Sequence, residues 1–265
     1  MKLKILICTM LLIMRGATCF SQQPDSIAVN RFAGGDELKN ISQEIKPVKF
    51  ISAAFVAPAV LIGYGFVAVY TNGALKRIDL NTRAELQEDH PKFAAHVDNY
   101  LQFAPALAVY GLNLSGVKGK HKLFDASMMY ITSAAIMGLS THFVKQGVHR
   151  LRPDNSTNNS FPSGHTASAF AAAEFLYQEY NDVSPWIGYG GYFVATATGT
   201  LRLYNNRHWV SDVVAGAGFG IASTKISYLI YPYIKRLFTG KGVQNLSLVP
   251  AKLDGNNGFA ASYRF

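Results

Sequence analysis

The chain has 265 residues, 49% of them hydrophobic and only 15% charged, which excludes a disordered chain and supplies either a sizeable soluble core or several membrane spans. Its 25 Lys and Arg against 16 Asp and Glu give a formal charge of +9, which suits anionic partners such as phosphate groups or acidic lipid surfaces. No long block of Lys and Arg occurs, so no nucleic-acid partner is expected. Two cysteines, Cys8 and Cys19, fall in the first twenty residues, and a processed chain would hold neither a disulfide framework nor a thiolate metal site.

Residues 1–21 have the layout of a secretory signal peptide: lysines at 2 and 4, an apolar run from Ile5 to Met14, then small residues before Ser21. Residues 22–49 read as a polar linker. From there the chain is punctuated by uncharged stretches, Phe50 to Leu75, Asn99 to Val117, Ala126 to Val144 and Val183 to Leu201. Each is close to the roughly 20 residues that cross a bilayer as helix. Thr166 to Gln178 and Val213 to Ile234 are also apolar, but they carry Glu174 and Lys225. The expected fold is therefore all-α, a bundle of about six apolar helices over 50–238 that spans a membrane. The alternative is a soluble bundle, because the helices are rich in Ala, Gly and Tyr.

The basic turn Lys118-Gly-Lys-His-Lys122 belongs in the cytoplasm by the positive-inside rule. A cleaved signal peptide followed by two full spans would put it outside. One assumption must fail: cleavage, two full early spans, or membrane insertion itself. The tail, 239–265, alternates around a turn-rich Asp254-Gly-Asn-Asn-Gly258 and reads as a short β-hairpin.

Three polar clusters stand where apolar helices end or begin. In the first, Lys145 and Arg152 are seven residues apart, nearly two helical turns, and can point to one side before Pro153 ends the regular structure. Two convergent cations suit a phosphate dianion, although a basic helix end touching lipid headgroups has the same pattern. In the second, Phe161-Pro-Ser-Gly-His-Thr166, Ser163 is a natural N-cap, Gly164 permits close approach to a ligand, and His165 sits on the first turn of an anion-binding helix end. In the third, His208 and Asp212 are four apart, so on a helix the carboxylate can meet one ring nitrogen and leave the other free as base or nucleophile. Each cluster alone has an ordinary structural explanation.

Their order and spacing, Lys145 to Arg152-Pro153, then Pro162-Ser-Gly-His165, then Arg202, His208 and Asp212, resemble the tripartite signature of the type 2 phosphatidic acid phosphatase family. One position departs, because the family usually has Ser where this chain has Leu201, with Thr200 just before it. The signature is shared with soluble periplasmic acid phosphatases and vanadium haloperoxidases, so it names a pocket before a substrate.

The resemblance implies that His208 is the nucleophile that becomes a phosphohistidine, with Asp212 fixing its tautomer and His165 as general acid. Lys145, Arg152 and Arg202, with backbone N–H groups near Ser163 and Gly164, would hold the phosphate oxygens, and no metal or other cofactor is implied. Arg150 and Arg207 read as solvated rim charges, and the stretch from Arg77 to Asp98 as a lid. The expected function is removal of phosphate from a lipid such as phosphatidic acid, phosphatidylglycerol phosphate, undecaprenyl diphosphate or lipid A. The expected place is a bacterial inner membrane, with the site facing the periplasm. A soluble periplasmic acid phosphatase is the alternative, and a vanadium haloperoxidase a remote one.

Overall fold

The computed structural model describes residues 53–239, 246–253 and 256–263. The expected signal peptide and the whole of the linker lie outside the described residues. Those residues form eight α-helices: α1 (Val56–Tyr70), α2 (Ala74–Asp89), α3 (Asp98–Leu101), α4 (Ala104–Leu114), α5 (Leu123–Val148), α6 (Gly164–Tyr180), α7 (Pro185–Tyr204) and α8 (Val210–Thr239). The fold is all-helical, as its uncharged stretches imply. Beyond α8, strands β1 (Leu246–Leu253) and β2 (Asn256–Tyr263) pair antiparallel, with Leu246 opposite Tyr263.

Six of the helices are the expected apolar ones, with changes that have physical causes. The stretch 99–117 is not one helix but two, α3 and α4, broken around Gln102 and Phe103 before Pro105. The 11 residues of α4 make a helix of about 17 Å, well short of a ~30 Å hydrocarbon layer. Of the three assumptions in conflict, the second full early span is thus the one the fold does not supply. Three helical segments are long and apolar enough to cross a membrane, Ala53–Tyr70, Leu123–Val148 and Val210–Arg236. The seventh helix has the length, but its Gly, Tyr and Thr content keeps it out of that set.

Helix α6 is the centre of the bundle and packs against α4, α5, α7 and α8. Its sequence explains the position: Ala167, Ala169, Ala171, Ala172 and Ala173 are all buried and let neighbouring backbones come close. The facing surface of α8 is equally spare. A Cβ on Gly216 would lie 2.6 Å from the Ser163 carbonyl oxygen, and one on Gly220 2.3 Å from that of Ala167. This small-residue seam is the packing mode of helices that cannot rely on water to drive them together.

Polarity is distributed in the same sense. Large apolar side chains point outward, including Phe143 at 69% exposure and Phe193 at 76%. Polar pairs are inside: Ser133 meets Thr224 at 2.7 Å, and the Ser227 hydroxyl donates to the Met129 carbonyl. Glu174, 1% exposed, is satisfied by Lys225 at 2.7 Å, by Gln178 and by the Tyr192 hydroxyl. An apolar exterior around a hydrogen-bonded interior suits a hydrocarbon solvent.

Helix α2 is the element that the apolar pattern passes over. It is amphipathic and packs on α1, α7 and α8. The expected lid is therefore, over Ala74–Asp89, a packed wall of the bundle, anchored by the buried carboxylate of Asp79.

Candidate active site

The C-terminus of α5, the N-terminus of α6, the C-terminus of α7 and the N-terminus of α8 meet at one end of the bundle, and with them all three clusters. Helix α5 closes on His149 in the left-handed region, φ 49°, whose N–H bonds the Lys145 carbonyl. The chain then returns through 150–163 to α6, where Ser163 is the N-cap and its hydroxyl accepts from the Thr166 N–H and hydroxyl. The Ser163 N–H donates to the Asp212 carbonyl at 2.9 Å, tying the second cluster to the third.

His208 is 4% exposed and its orientation is fixed by the backbone. Nδ1 lies 2.9 Å from the Ser160 carbonyl, which can only accept, so Nδ1 carries the proton and Nε2 keeps its lone pair. Asp212 is nearer the role of a counter-charge than of a direct partner: its Oδ2 is 3.6 Å from Nδ1, beyond hydrogen-bond length. That corrects the expectation that the carboxylate sets the tautomer. The main-chain carbonyl is closer, and Oδ2 is already engaged by the Ser160 hydroxyl and the Trp209 N–H. Burial pushes His208 below the ordinary imidazole range, with the Asp212 charge opposing the shift, so the ring is held neutral.

At the same end of the bundle a cavity of about 350 Å³ is lined by His96, Asn99, Arg152, His165, Arg202 and Arg207, among others; His208 does not line it. Arg152, His165 and Arg202 thus share one wall, as their spacing suggests. Lys145, Ser163 and Asp212 do not line the cavity, and the Lys145 ammonium donates to the carbonyls of Asn159 and Pro162 at 2.7 and 2.6 Å. Arg202 is anchored from α3, Nη1 to Asp98 Oδ2 at 2.6 Å. Among the described residues, the buried side-chain polar atoms without a hydrogen-bond partner are two, Arg152 Nε and Arg202 Nε. Buried donors are costly to leave unsatisfied, so two unpaired guanidinium donors at one cavity are the mark of an anion site.

His165 is held by Asn99 Oδ1, 2.8 Å from Nε2. Burial, and then the Arg202 charge, push its pKa down to about 4, with Asp98 pulling the other way. A phosphate dianion in the cavity adds negative charge beside the ring and favours imidazolium.

Sequence reasoning missed Asp79, Asp98, Asn99 and Ser160. Asp79 had a legible signal: Leu75, Asp79, Thr82 and Leu86 form the inward stripe of an amphipathic helix, and a carboxylate in such a stripe has a partner waiting. The partner is Arg150, which is no rim charge but bridges Asp79 and Asp212 at 2.7 Å each. Arg207 is the rim residue expected, paired with Asp154 at 2.9 Å. Leu201 faces away from the phosphate cavity and lines an apolar groove of about 480 Å³ with Phe93, Phe193, Thr196, Ala197, Thr200 and Tyr204. Phe93 lines both spaces, so groove and cavity adjoin.

Residues 126–236 match the model of the PAP2 superfamily. Over those residues the chain is similar to PAP2 domains. The match takes in α5 to α8 and all ten signature residues, while Asp79, Asp98 and Asn99 come from helices upstream of it. Over 151 residues, 56% of this chain, the sequence is 42% identical to a lipid A 1-phosphatase of Porphyromonas gingivalis. The chain spans about a third (34%) of that protein's length. A probable diacylglycerol pyrophosphate phosphatase of Schizosaccharomyces pombe is 28% identical over 57% of this chain and 68% of its own. Among solved structures, the transmembrane PAP2-type phosphatidylglycerolphosphate phosphatase of Bacillus subtilis aligns with a TM-score of 0.45 and 18% identity, covering 68% of this chain and 98% of that one.

Proposed function

We propose that this chain is a membrane phosphatase that removes a phosphate group from a phosphorylated lipid through a phosphohistidine on His208, within a helical domain running over 50–238. The observation that carries the reading is the pair of unpartnered buried donors, Arg152 Nε and Arg202 Nε, on residues that line a cavity with His165, close enough to His208 that His165 feels its charge and Arg202 exerts its own on it. In the first step the Nε2 lone pair attacks phosphorus, the bond from phosphorus to the lipid oxygen breaks, and that oxygen takes a proton from His165. In the second, His165 accepts a proton from water, whose oxygen attacks phosphorus; the bond from phosphorus to Nε2 breaks and inorganic phosphate leaves. Arg152 and Arg202 hold the equatorial oxygens, and Asp212 stabilises the cationic ring at its Nδ1 side. The role assigned to the side chains needs no metal ion.

The lipid substrate is supported by the apolar exterior, by the groove that adjoins the cavity at Phe93, and by what the relatives are named for. Lipid A is the favoured member of the class, on the higher identity of that relative. The basic turn Lys118–Lys122 caps the bundle end away from the site, where the Lys120 N–H bonds the Glu179 carbonyl. With that turn on the cytoplasmic side, the site faces the periplasm from a bacterial inner membrane.

The test is phosphate release by detergent-purified protein in chelator, from lipid A, phosphatidic acid, phosphatidylglycerol phosphate and diacylglycerol pyrophosphate, with p-nitrophenyl phosphate as the soluble control. Selective release from a lipid is expected. Preference for the soluble ester would replace the lipid reading with a broad acid phosphatase.

The depressed pKa of His165 gives the reaction a pH signature. A general acid must be protonated, and above about pH 4 the ring is neutral until the substrate's charge raises its pKa. The alkaline limb of kcat, which reports the loaded enzyme, is therefore expected at higher pH than the limb of kcat/KM, which reports the free one. Coincident limbs, or limbs that persist in His165→Ala, would remove His165 from the acid role.

A further inference from the structure

Beside His208 three charges alternate in sign, two buried carboxylates on either side of the half-buried Arg150. Arg150 Nη1 donates to Asp212 Oδ1 at 2.7 Å and to the Ser211 hydroxyl at 2.6 Å, while Nη2 donates to Asp79 Oδ2 at 2.7 Å. Asp79 also accepts from the Ser211 N–H at 2.9 Å and from its hydroxyl at 2.6 Å. The guanidinium lies over the Trp209 ring, 5.3 Å from its centre. Asp79 is 1% exposed and Asp212 0%, so neither charge is screened by water. Such a row is expensive to assemble and is not, by itself, a source of stability.

Its position suggests what it does instead. Arg150 holds Oδ1 of the same carboxylate whose Oδ2 lies 3.6 Å from His208 Nδ1. The nucleophile needs two opposed things from that carboxylate. Too strong a negative field protonates the ring and removes its lone pair; too weak a field leaves the cationic phosphohistidine without a counter-charge. Arg150 reduces the field of Asp212 at the ring, and Asp79 reduces the effect of Arg150.

We propose that Asp79 and Arg150 are positioning residues for the reaction at His208, fixing the Asp212 carboxylate in place and setting how much of its charge the imidazole experiences. This rests on the phosphohistidine reading above. The other charged or titratable groups that face His208 are Lys145 from α5, His165 from α6, Arg202 from α7 and Arg83 from α2. None of them makes an ion pair with Asp212, whose charged partners are Arg150 and His208.

The two residues have opposite signs, and so must their variants. Arg150→Gln removes the cation beside Asp212 and is expected to raise the His208 titration midpoint by about one pH unit. Asp79→Asn leaves Arg150 tied to Asp212, Ser211 and Trp209 but without its second carboxylate, and is expected to lower that midpoint by a smaller amount. The midpoint is read from ¹⁵N-histidine ring signals of the full chain in detergent, with the His208 signal assigned by its loss in His208→Ala.

Orthovanadate inhibition of p-nitrophenyl phosphate hydrolysis should stay within about twofold of wild type in both variants, because neither residue lines the phosphate cavity. A purely structural role predicts a common loss of active protein with no shift in the midpoint. Equal midpoints in wild type and variants, or shifts of the same sign, overturn the proposal. Should Arg150→Gln not fold, Asp79→Asn decides by the sign of its shift alone. The titration does not depend on turnover, so failure of the lipid substrates in the panel leaves this result independent.

Discussion

His208→Ala protein is expected to release phosphate at least 10³-fold more slowly than wild type from every substrate the wild type accepts, a loss on the scale of removing a covalent nucleophile. The side chain is 4% exposed and its Nδ1 proton is committed to the Ser160 carbonyl, so alanine removes the free lone pair of Nε2 and substitutes nothing for it. KM should change little, because under the proposed reading Arg152 and Arg202, not His208, hold the oxygens of the phosphate. Incubation of wild type with ³²P-labelled substrate followed by rapid denaturation should leave acid-labile label on the protein, and none on the variant. Undiminished turnover in His208→Ala would end the phosphohistidine mechanism.

A second large loss is expected for Arg202→Lys, about 10²-fold in kcat/KM, despite the conserved charge. Arg202 uses Nη1 for Asp98 at 2.6 Å, and its buried Nε has no partner. A lysine ammonium can satisfy Asp98 or a phosphate oxygen, but its single nitrogen does not present the two in the fixed geometry of a guanidinium. Arg207→Ala supplies the control: that side chain is paired with Asp154 at the rim, 44% exposed, and its loss should alter kcat/KM by no more than a few fold. Steady-state kinetics on one lipid substrate and on p-nitrophenyl phosphate measure both. Equal losses from the two positions would mean that general positive charge, not the donor geometry at Arg202, governs binding.

The parts of this site that were legible in sequence are those fixed by local spacing. Lys145, Ser163 and His165 sit at helix ends, and the Ser163 N-cap is written beside them; α5, however, closes at His149 and not at Pro153, so Arg152 lies in the loop beyond the helix and not two turns along it from Lys145. The parts that were not legible come from long-range pairing. Asp98 finds Arg202 across 104 positions and Asp79 finds Arg150 across 71. Asp98 has no local reason to be buried and Asp79 only its place on the inward stripe of α2, and only the packing of α2 and α3 on the bundle supplies their partners. The same limit explains Asp212. An i, i+4 spacing permits a hydrogen bond to His208, but the carbonyl of Ser160, brought in by the loop before α6, reaches Nδ1 first. The broken stretch 99–117 failed as a span for a simpler reason, since an uncharged run reports burial or lipid contact and says nothing of where the helix is interrupted.

The groove that meets the cavity at Phe93 has a kinetic consequence under the proposed reading. It is lined by carbon from Phe193, Ala197, Leu201 and Tyr204 and runs along the outer face of α7. A molecule whose chains lie in that groove can present its phosphate to Arg152 and Arg202 while its tails remain among other lipids. Leu201, where a hydroxyl is usual, thus favours hydrocarbon at the threshold. Encounter then takes place by diffusion in two dimensions, and the variable that saturates the enzyme is the mole fraction of substrate in the surface around it, not its concentration in the surrounding water.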